Sequence, residues 1–392
     1  MDRCWMCAVC LACIPLSLAV VLPAAEAPPA KDATDHWLVY LGTGVYGAPP
    51  SKGIFSTRFD AAKGELQPVE LAAELPNPTF LALHPTHKWL YAASELPDPA
   101  GGNSPTMTAF AIEPQTGKLT LLNQQATGSR AECHLAVDRD GRFVLAASYC
   151  DGNVACLPIA ADGRLGELVC FVQHADSGDH TPRRQPRAHG ITFDASNQFV
   201  FVPDLGLDKV MIYRLDATNG QLTANATPYV STAPGAGPRH FTFHPNGRFA
   251  YVINETNSTI TPFAYNAEQG SLEPLETVST LPETFRESST CAEIQVHPNG
   301  KFLYGSNRGH DSIAIFAIDP TGKLHLIGHE PSGGKTPRHF TLDPSGRFLL
   351  AANTGSDNVA VFRVDAETGK LAALPNPLAV PSPMCVLFLP RP

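Results

Sequence analysis

The sequence predicts an all-β fold: a seven-bladed β-propeller whose ring is closed by strands from the two ends of the chain. Three observations lead there. A hairpin unit of apolar strand, tight turn and apolar strand is plainest in Gly237-Pro-Arg-His-Phe-Thr-Phe-His-Pro-Asn-Gly-Arg-Phe-Ala-Tyr-Val-Ile-Asn-Glu255, and its turn-plus-strand half recurs from His84, Asp138, Asp194, His297 and Asp343, six copies in all. A Gly-x-Leu turn recurs seven times, at Gly64, Gly117, Gly163, Gly220, Gly270, Gly322 and Gly369. Its leucines stand 46 to 57 residues apart, the period of a blade of four short strands.

Seven turns against six complete hairpins leave one blade to be assembled otherwise. Cys385-Val-Leu-Phe-Leu-Pro390 is expected to supply its inner strand and Trp37-Leu-Val-Tyr-Leu41 its second. Closure of this kind removes the exposed sheet edges on which other chains could add.

Taken in order, residues 1–27 read as a secretory signal peptide: Arg3, an apolar run from Cys4 to Leu22, then the small residues Ala24-Ala25-Glu26-Ala27. The alternative is an uncleaved anchor, against which Pro15, Ser17 and Pro23 count. Residues 28–35 form a short polar lead-in. From residue 36 to 392 no linker or low-complexity tract divides the chain, so the remainder reads as one closed array, secreted or periplasmic and off the membrane once the leader is cleaved. With 37 acidic and 28 basic residues, a net charge of −9 and 43% hydrophobic residues, the composition excludes disorder and argues against nucleic acid as a partner. Cys133, Cys150, Cys156, Cys170, Cys291 and Cys385 remain after the leader. Cys150 and Cys156 flank one hairpin turn and could pair, while buried free thiols are the other reading.

A repeat is its own control. Positions that only build a blade should look alike in every copy, and function should sit where they differ. Two residues before the inner strand the copies read Pro78, Cys133, His189, Arg239, Ala292, Arg338 and Met384; one residue before it, Thr79, His134, Gly190, His240, Glu293, His339 and Cys385. After the second strand come Glu95, Tyr149, Asp204, Glu255, Arg308 and Thr354. Because hairpin strands are antiparallel, all these positions meet at one mouth of the ring.

His84, His244 and His297 share a turn position with Asp138, Asp194 and Asp343, so hydrogen bonds to the turn backbone account for them. Asn254, Asn307 and Asn353 recur at one strand end and are expected to cap the loop. His134, His240 and His339 recur at one position. Together with Arg338 they are assigned to substrate binding, the alternative for the histidines being that they brace a neighbouring blade. His189, Arg239, Glu255 and Arg308 do not follow from the repeat and are the catalytic candidates.

Other motifs carry no chemistry. Gly42-Thr-Gly44-Val-Tyr-Gly47 matches a dinucleotide fingerprint but runs into Ala48-Pro49-Pro50, with no helix to hold a pyrophosphate. His174-Ala-Asp176-Ser-Gly-Asp179-His180 has metal-ligating residue types without a metal-site spacing, and no Gly-x-Ser-x-Gly elbow is present. No cofactor or metal is expected.

Several stretches carry a family resemblance: Pro238-Arg239-His240, Ala292-Glu-Ile-Gln-Val-His-Pro-Asn-Gly-Lys-Phe-Leu-Tyr304, Ser306-Asn-Arg-Gly-His-Asp-Ser-Ile313, Val202-Pro-Asp-Leu-Gly-Leu-Asp-Lys-Val210 and Gly334-Lys-Thr-Pro-Arg-His339. Over about residues 37 to 390 they resemble the seven-bladed propeller lactonase family, which includes the propeller type of 6-phosphogluconolactonase and the fungal carboxy-muconate lactonising enzymes. In the muconate enzymes the proposed site is a His, an Arg, a Glu and a second Arg; by motif these fall on His189, Arg239, Glu255 and Arg308. Where family members often read Pro-His-Ala-His, this chain has Pro186-Arg187-Ala188-His189.

The resemblance implies a lactone hydrolase acting on a sugar-derived or other anionic lactone. A lactonising or isomerising enzyme of the muconate type, and a non-catalytic propeller that binds an anionic ligand or a protein, are the alternatives. The residues suit the first reading. Lactone opening needs a base for water, which His189 or Glu255 can provide, and cationic donors for the oxyanion and acid group, which Arg239 and Arg308 can provide. Glu255 can equally serve to orient Arg239 across the hairpin.

Overall fold

The computed structural model describes residues 1, 36–45, 51–95, 104, 106–176 and 184–389. The leader, the lead-in, most of the Gly42–Gly47 fingerprint's tail and Asp179-His180 lie outside them. Among the described residues the secondary structure is β-strand throughout, save one 3₁₀ turn at Thr354–Ser356. The strands form seven antiparallel sheets, the seven blades.

We number the blades from the first complete hairpin, inner strand first. Blade 1 has Pro78–Leu83, Trp89–Ser94, Met107–Ile112 and Leu119–Gln125. Blade 2 has Glu132–Val137, Phe143–Ser148, Asn153–Pro158 and Cys170–Gln173. Blades 3 to 6 begin at Thr192–Phe193, Pro238–Phe243, Thr290–Val296 and Pro337–Leu342. Blade 7 closes the ring: the C-terminal strand Pro383–Leu389 is its inner strand and pairs with the N-terminal strand His36–Thr43, in the register Leu38↔Leu389 and Leu41↔Val386. This is the closure expected from the count of turns. The outermost strand is broken in two in blades 4, 6 and 7. In blades 6 and 7 prolines fall in the break (Pro375 and Pro377; Pro68), where they offer no N–H to the ladder.

The cores lie between blades. One joins blades 2 and 3 through Leu145, Val154, Ile191, Val200 and Val202; the equivalent core at the closure joins blades 6 and 7 through Val39, Phe59, Phe348, Leu350 and Phe388. The Gly-x-Leu signature has its physical reason here. All seven of its glycines adopt φ between 63° and 85°, and a Cβ on any of them would come within 2.8 Å of a side chain of the preceding blade: Phe348, Leu38, Trp89, Phe143, Phe199, Phe249 or Phe302. Four of these glycine carbonyls also accept a hydrogen bond from a buried tyrosine of that preceding blade. Tyr40 donates to Gly117, Tyr91 to Gly163, Tyr251 to Gly322 and Tyr304 to Gly369, at 2.9–3.2 Å. The turn histidines stitch blades in the same direction. His84 Nε2 meets the Gly141 carbonyl at 2.9 Å, His244 that of Gly300 at 2.8 Å, and His297 that of Gly346 at 2.9 Å, while each Nδ1 accepts from its own turn backbone. Asn307 and Asn353 donate to the carbonyls of Thr280 and Ser332, in the loops that lead into blades 5 and 6; Asn254 reaches the hydroxyls of Thr259 and Thr261 across the loop that follows its own strand.

All six cysteines of the propeller are free thiols. Five are buried and Cys150 is exposed, so Cys150 and Cys156 are not bridged.

Candidate active site at the mouth of the ring

The residues that differ between repeats are aimed by a β-bulge. In blade 4, Pro238 pairs with Asn254 and His240 with Ile253, which leaves Arg239 as an extra residue opposite no partner. The same irregularity isolates Thr79 in blade 1, Cys133 in blade 2, Arg338 in blade 6 and Met384 in blade 7, and in blade 5 it spans Ala292 and Glu293. A bulge bends the strand and re-aims the side chain it isolates. In blade 3 the pairing shrinks further: Pro203 has no N–H to give, and the segment that carries His189 is held by the bridge Ala188↔Asp204, with His189 N–H donating to the Pro203 carbonyl and Leu205 N–H to that of Arg187, and by Arg187 N–H donating to Asp204 Oδ1. Sequence reasoning placed Arg239 and His240 ahead of the strand. They lie within it, because the ladder resumes beyond the bulge at Pro238.

Glu95, Cys133, Tyr149, His189, Glu255, Arg308 and Arg338 line a cavity of about 250 Å³ at this mouth. Glu255 stands between two guanidiniums, its Oε2 2.9 Å from both Arg239 Nε and Arg308 Nη2. Arg239 itself is 1% exposed; its Nη1 donates to the Ala292 carbonyl at 2.7 Å and lies 3.2 Å from His240 Nε2. Arg308 Nη2 also donates to the Cys291 carbonyl at 2.7 Å. Across the mouth Arg338 Nη2 lies 3.2 Å from Glu95 Oε1. His189 is 4% exposed, with the Tyr149 ring edge-on at 5.6 Å. Its Nδ1 is buried without a partner, so the opposite ring nitrogen is the one that reaches the cavity. The Tyr149 hydroxyl accepts from Arg187, whose guanidinium also lies over the Tyr149 ring. Arg187, at a position where the related motif carries histidine, thus braces a wall of the cavity.

Behind this mouth the axis is filled by a second polar group. His240 Nδ1 and His339 Nε2 converge on one oxygen of Glu293, at 2.9 and 3.3 Å. His134 Nδ1 accepts from Ile191 N–H and His339 Nδ1 from Val386 N–H, which sets the tautomer of both. Phe80 packs against His134 at 4.0 Å between ring centroids. His134, Glu293 and His339 face a second cavity, of about 370 Å³, lined also by Thr242, Gln295 and Val296 from the turn-proximal half of the inner strands. Arg239 and His240 therefore form a septum between a front and a rear cavity.

Burial dominates the electrostatics. It lowers His189 and His240 well below the ordinary histidine range, with the Arg239 guanidinium acting in the same sense, and takes His134 and His339 down to about 3. All four imidazoles are neutral at pH 7. Burial also pushes Glu293 up to about 8, against the pull of Arg239, and brings Arg239 down to about 10. The Cys133 thiol, raised by burial, is no nucleophile.

The front cavity thus brings together His189, Glu255, Arg308 and Arg338, while the buried Arg239 stays out of its lining and is tied to it through Glu255. His240 lies in the septum, and His134 and His339 belong to the rear cavity. Glu95, Tyr149 and Glu293 stood in the compared positions without being assigned a role; the signal for Glu293 was a carboxylate at the position where three other blades carry histidine. His174, from the rejected metal motif, is buried with Nδ1 2.6 Å from Asp204 Oδ2. Asp204 also accepts from the Arg187 and Leu207 backbone, so it holds a loop instead of facing the cavity.

A propeller of seven blades with a cationic and imidazole-bearing cavity at the bulged mouth defines a class, and the chain matches the family described as Lactonase, 7-bladed beta-propeller over residues 39–388. The chain belongs to this family. Among its relatives it is 38% identical to the 6-phosphogluconolactonase of Bacillus subtilis (strain 168) over 352 residues, 89% of this chain and 98% of the relative. It is 36% identical to the 6-phosphogluconolactonase of Formosa agariphila over 337 residues, 84% of this chain and 94% of the relative. The periplasmic gluconolactonase of Pseudomonas aeruginosa superposes with a TM-score of 0.84 at 32% identity, covering 91% of this chain and all of that one.

Proposed function

We propose that this protein is a lactone hydrolase acting on a sugar-derived or other lactone whose acid group is received by arginine, with His189 as base and Glu255 as the residue that orients Arg239 and Arg308. The observation that carries the reading is the convergence on one small cavity of the neutral His189 imidazole, whose Nδ1 has no partner, and two carboxylate-tied guanidiniums, Arg308 and Arg338, with the buried Arg239 paired to Glu255 behind them. Water attacks the lactone carbonyl carbon while the cavity-facing nitrogen of His189 takes its proton. The charge that develops on the carbonyl oxygen meets the guanidiniums, held in place beforehand by Glu255 and the carbonyls of Ala292 and Cys291. Collapse breaks the ring C–O bond, and the imidazolium returns its proton to the leaving alkoxide. One water is consumed and one hydroxy acid leaves. Burial, and after it positive charge from Arg239 and Arg338, depresses His189; negative charge building on the substrate offsets the arginines' part, so the imidazole becomes a better base as the reaction proceeds. Glu255 Oε2 is paired with two guanidiniums, an arrangement that occupies the oxygen a base would use.

The reading includes a leader over residues 1–27, a lead-in over 28–35 and a propeller from 36 to 392 that works outside the cytoplasm, in keeping with the likeness to a periplasmic gluconolactonase. Two measurements test it. A panel of lactones of varied charge and ring size, with acid release as readout, should give enzyme-dependent hydrolysis; a folded protein inert on the whole panel refutes the activity. Sequencing the N-terminus of the exported protein should find cleavage near Ala25 or Ala27, and an intact Met1 on a membrane-bound form refutes the leader.

A further inference from the structure

The two sides of the mouth are not equivalent. On the wall of blades 4 and 5, Arg239 and Arg308 share the single carboxylate of Glu255, which leaves one positive charge in excess. On the facing wall Arg338 of blade 6 is matched by Glu95 of blade 1, an ion pair that spans blade 7, whose bulge residue there is the apolar, buried Met384. The Glu95 backbone is pinned, its N–H donating to the Asn77 carbonyl and its carbonyl accepting from the Asn77 side chain. With the imidazoles neutral, these two walls carry three guanidiniums against two carboxylates, 3 − 2 = +1, and Arg187 behind Tyr149 adds one further positive charge at the rim.

A phosphate monoester brings a charge of about −1.5 to −2 at neutral pH and three acceptor oxygens with almost no donor. Against the Glu95–Arg338 wall it would meet a carboxylate of its own sign at close range. A hydroxyl is donor and acceptor at once, and an ion pair offers both complements: Glu95 accepts, Arg338 donates. We infer that this site selects an unphosphorylated polyhydroxy lactone, with the reacting carbonyl at Arg239 and Arg308, the hydroxylated end against Glu95 and Arg338, and Glu95 as the residue that rejects a terminal phosphate. This rests on the lactone-hydrolase reading above and narrows its substrate to the sugar-derived lactone, whose acid group is the carboxylate released on ring opening.

The experiment compares glucono-1,5-lactone with its 6-phosphate on the full-length protein and on Glu95→Gln, reading kcat/KM by acid release above the spontaneous rate. Binding of the products gluconate and 6-phosphogluconate is measured alongside by calorimetry. Wild type should favour the unphosphorylated lactone by at least about tenfold, and Glu95→Gln, which keeps the acceptor for Arg338 but removes the charge, should shift the ratio toward the phosphate by about tenfold. The shift should diminish at high salt. A wild-type preference for the phosphorylated lactone, or a ratio unmoved by Glu95→Gln, overturns the inference. Selective gluconate binding that Glu95→Gln relaxes, without turnover of either lactone, would uphold the charge selection and refute the hydrolase reading instead.

Discussion

Glu255→Gln separates two roles that the residue types leave equivalent. The carboxylate is 2.9 Å from both Arg239 Nε and Arg308 Nη2, and the side chain is 21% exposed. Removing one partner of a fully buried ion pair costs about 3–5 kcal/mol, because the remaining charge is stranded. Here water reaches Glu255 and glutamine retains an oxygen that can accept from one guanidinium, so we expect a loss of about 1–3 kcal/mol. With an unfolding entropy of about 2.1 cal/mol/K per residue over a ring of about 350 residues, that is a fall of about 1–4 °C in Tm. If Glu255 only orients the arginines, kcat/KM should fall by about 10–100-fold, the scale on which a misplaced clamp acts, with the pH profile unchanged in shape. If it is the base, the loss should reach about 10²–10⁴ in kcat and the acid limb should vanish. Steady-state kinetics from about pH 8 down to about pH 3.5 on the best lactone, with thermal unfolding of the same sample, reads both quantities. A drop beyond about 10³ with the acid limb abolished, in a protein whose His189→Asn variant still turns over, would refute the assignment of His189.

His189→Asn itself should lower kcat by about 10²–10⁴ with KM little changed. Because burial and Arg239 hold His189 neutral, the wild-type acid limb should lie below the usual histidine range and not near pH 6.5. Arg308→Ala should act chiefly on KM, read in the same assay. His297→Ala and Tyr304→Phe each remove an inter-blade hydrogen bond and should cost about 1 kcal/mol in denaturant unfolding while leaving kcat unchanged. Four imidazoles have folded pKa values below their unfolded ones (His134, His189, His240 and His339), so their contribution to stability is complete above about pH 6.5 and is lost as pH falls toward the folded values. Each that must charge on unfolding adds about 1.4 kcal/mol per pH unit over that window. Glu293, raised to about 8, works in the opposite sense: its contribution is complete below about pH 4.3 and is lost as pH rises toward 8. Unfolding free energies that stay level from pH 7 to pH 5 would contradict the neutral cluster.

The sequence by itself determined the number of blades, the closure by the two termini and the mouth at which the variable residues meet. The reason is periodic: the signature glycines need a positive φ and room for the preceding blade's side chain, so they mark every copy, and antiparallel pairing then decides which end Arg239 and Glu255 share. The repeat comparison could also isolate His189, Arg239, Glu255 and Arg308. It could not tell front from rear, because one residue along an inner strand separates the side chains that face the mouth from those that face the axis behind it, and a bulge sets that division residue by residue. Only the tertiary structure placed His134 and His339 with Glu293 on the rear cavity and paired Glu95 with Arg338. Those partners are 53 and 243 residues apart where the distances are largest in sequence, His240 to Glu293 and Glu95 to Arg338, and no local pattern links them. They meet because ring closure brings blades 1 and 6 to either side of blade 7, and burial on the axis then decides which groups are charged.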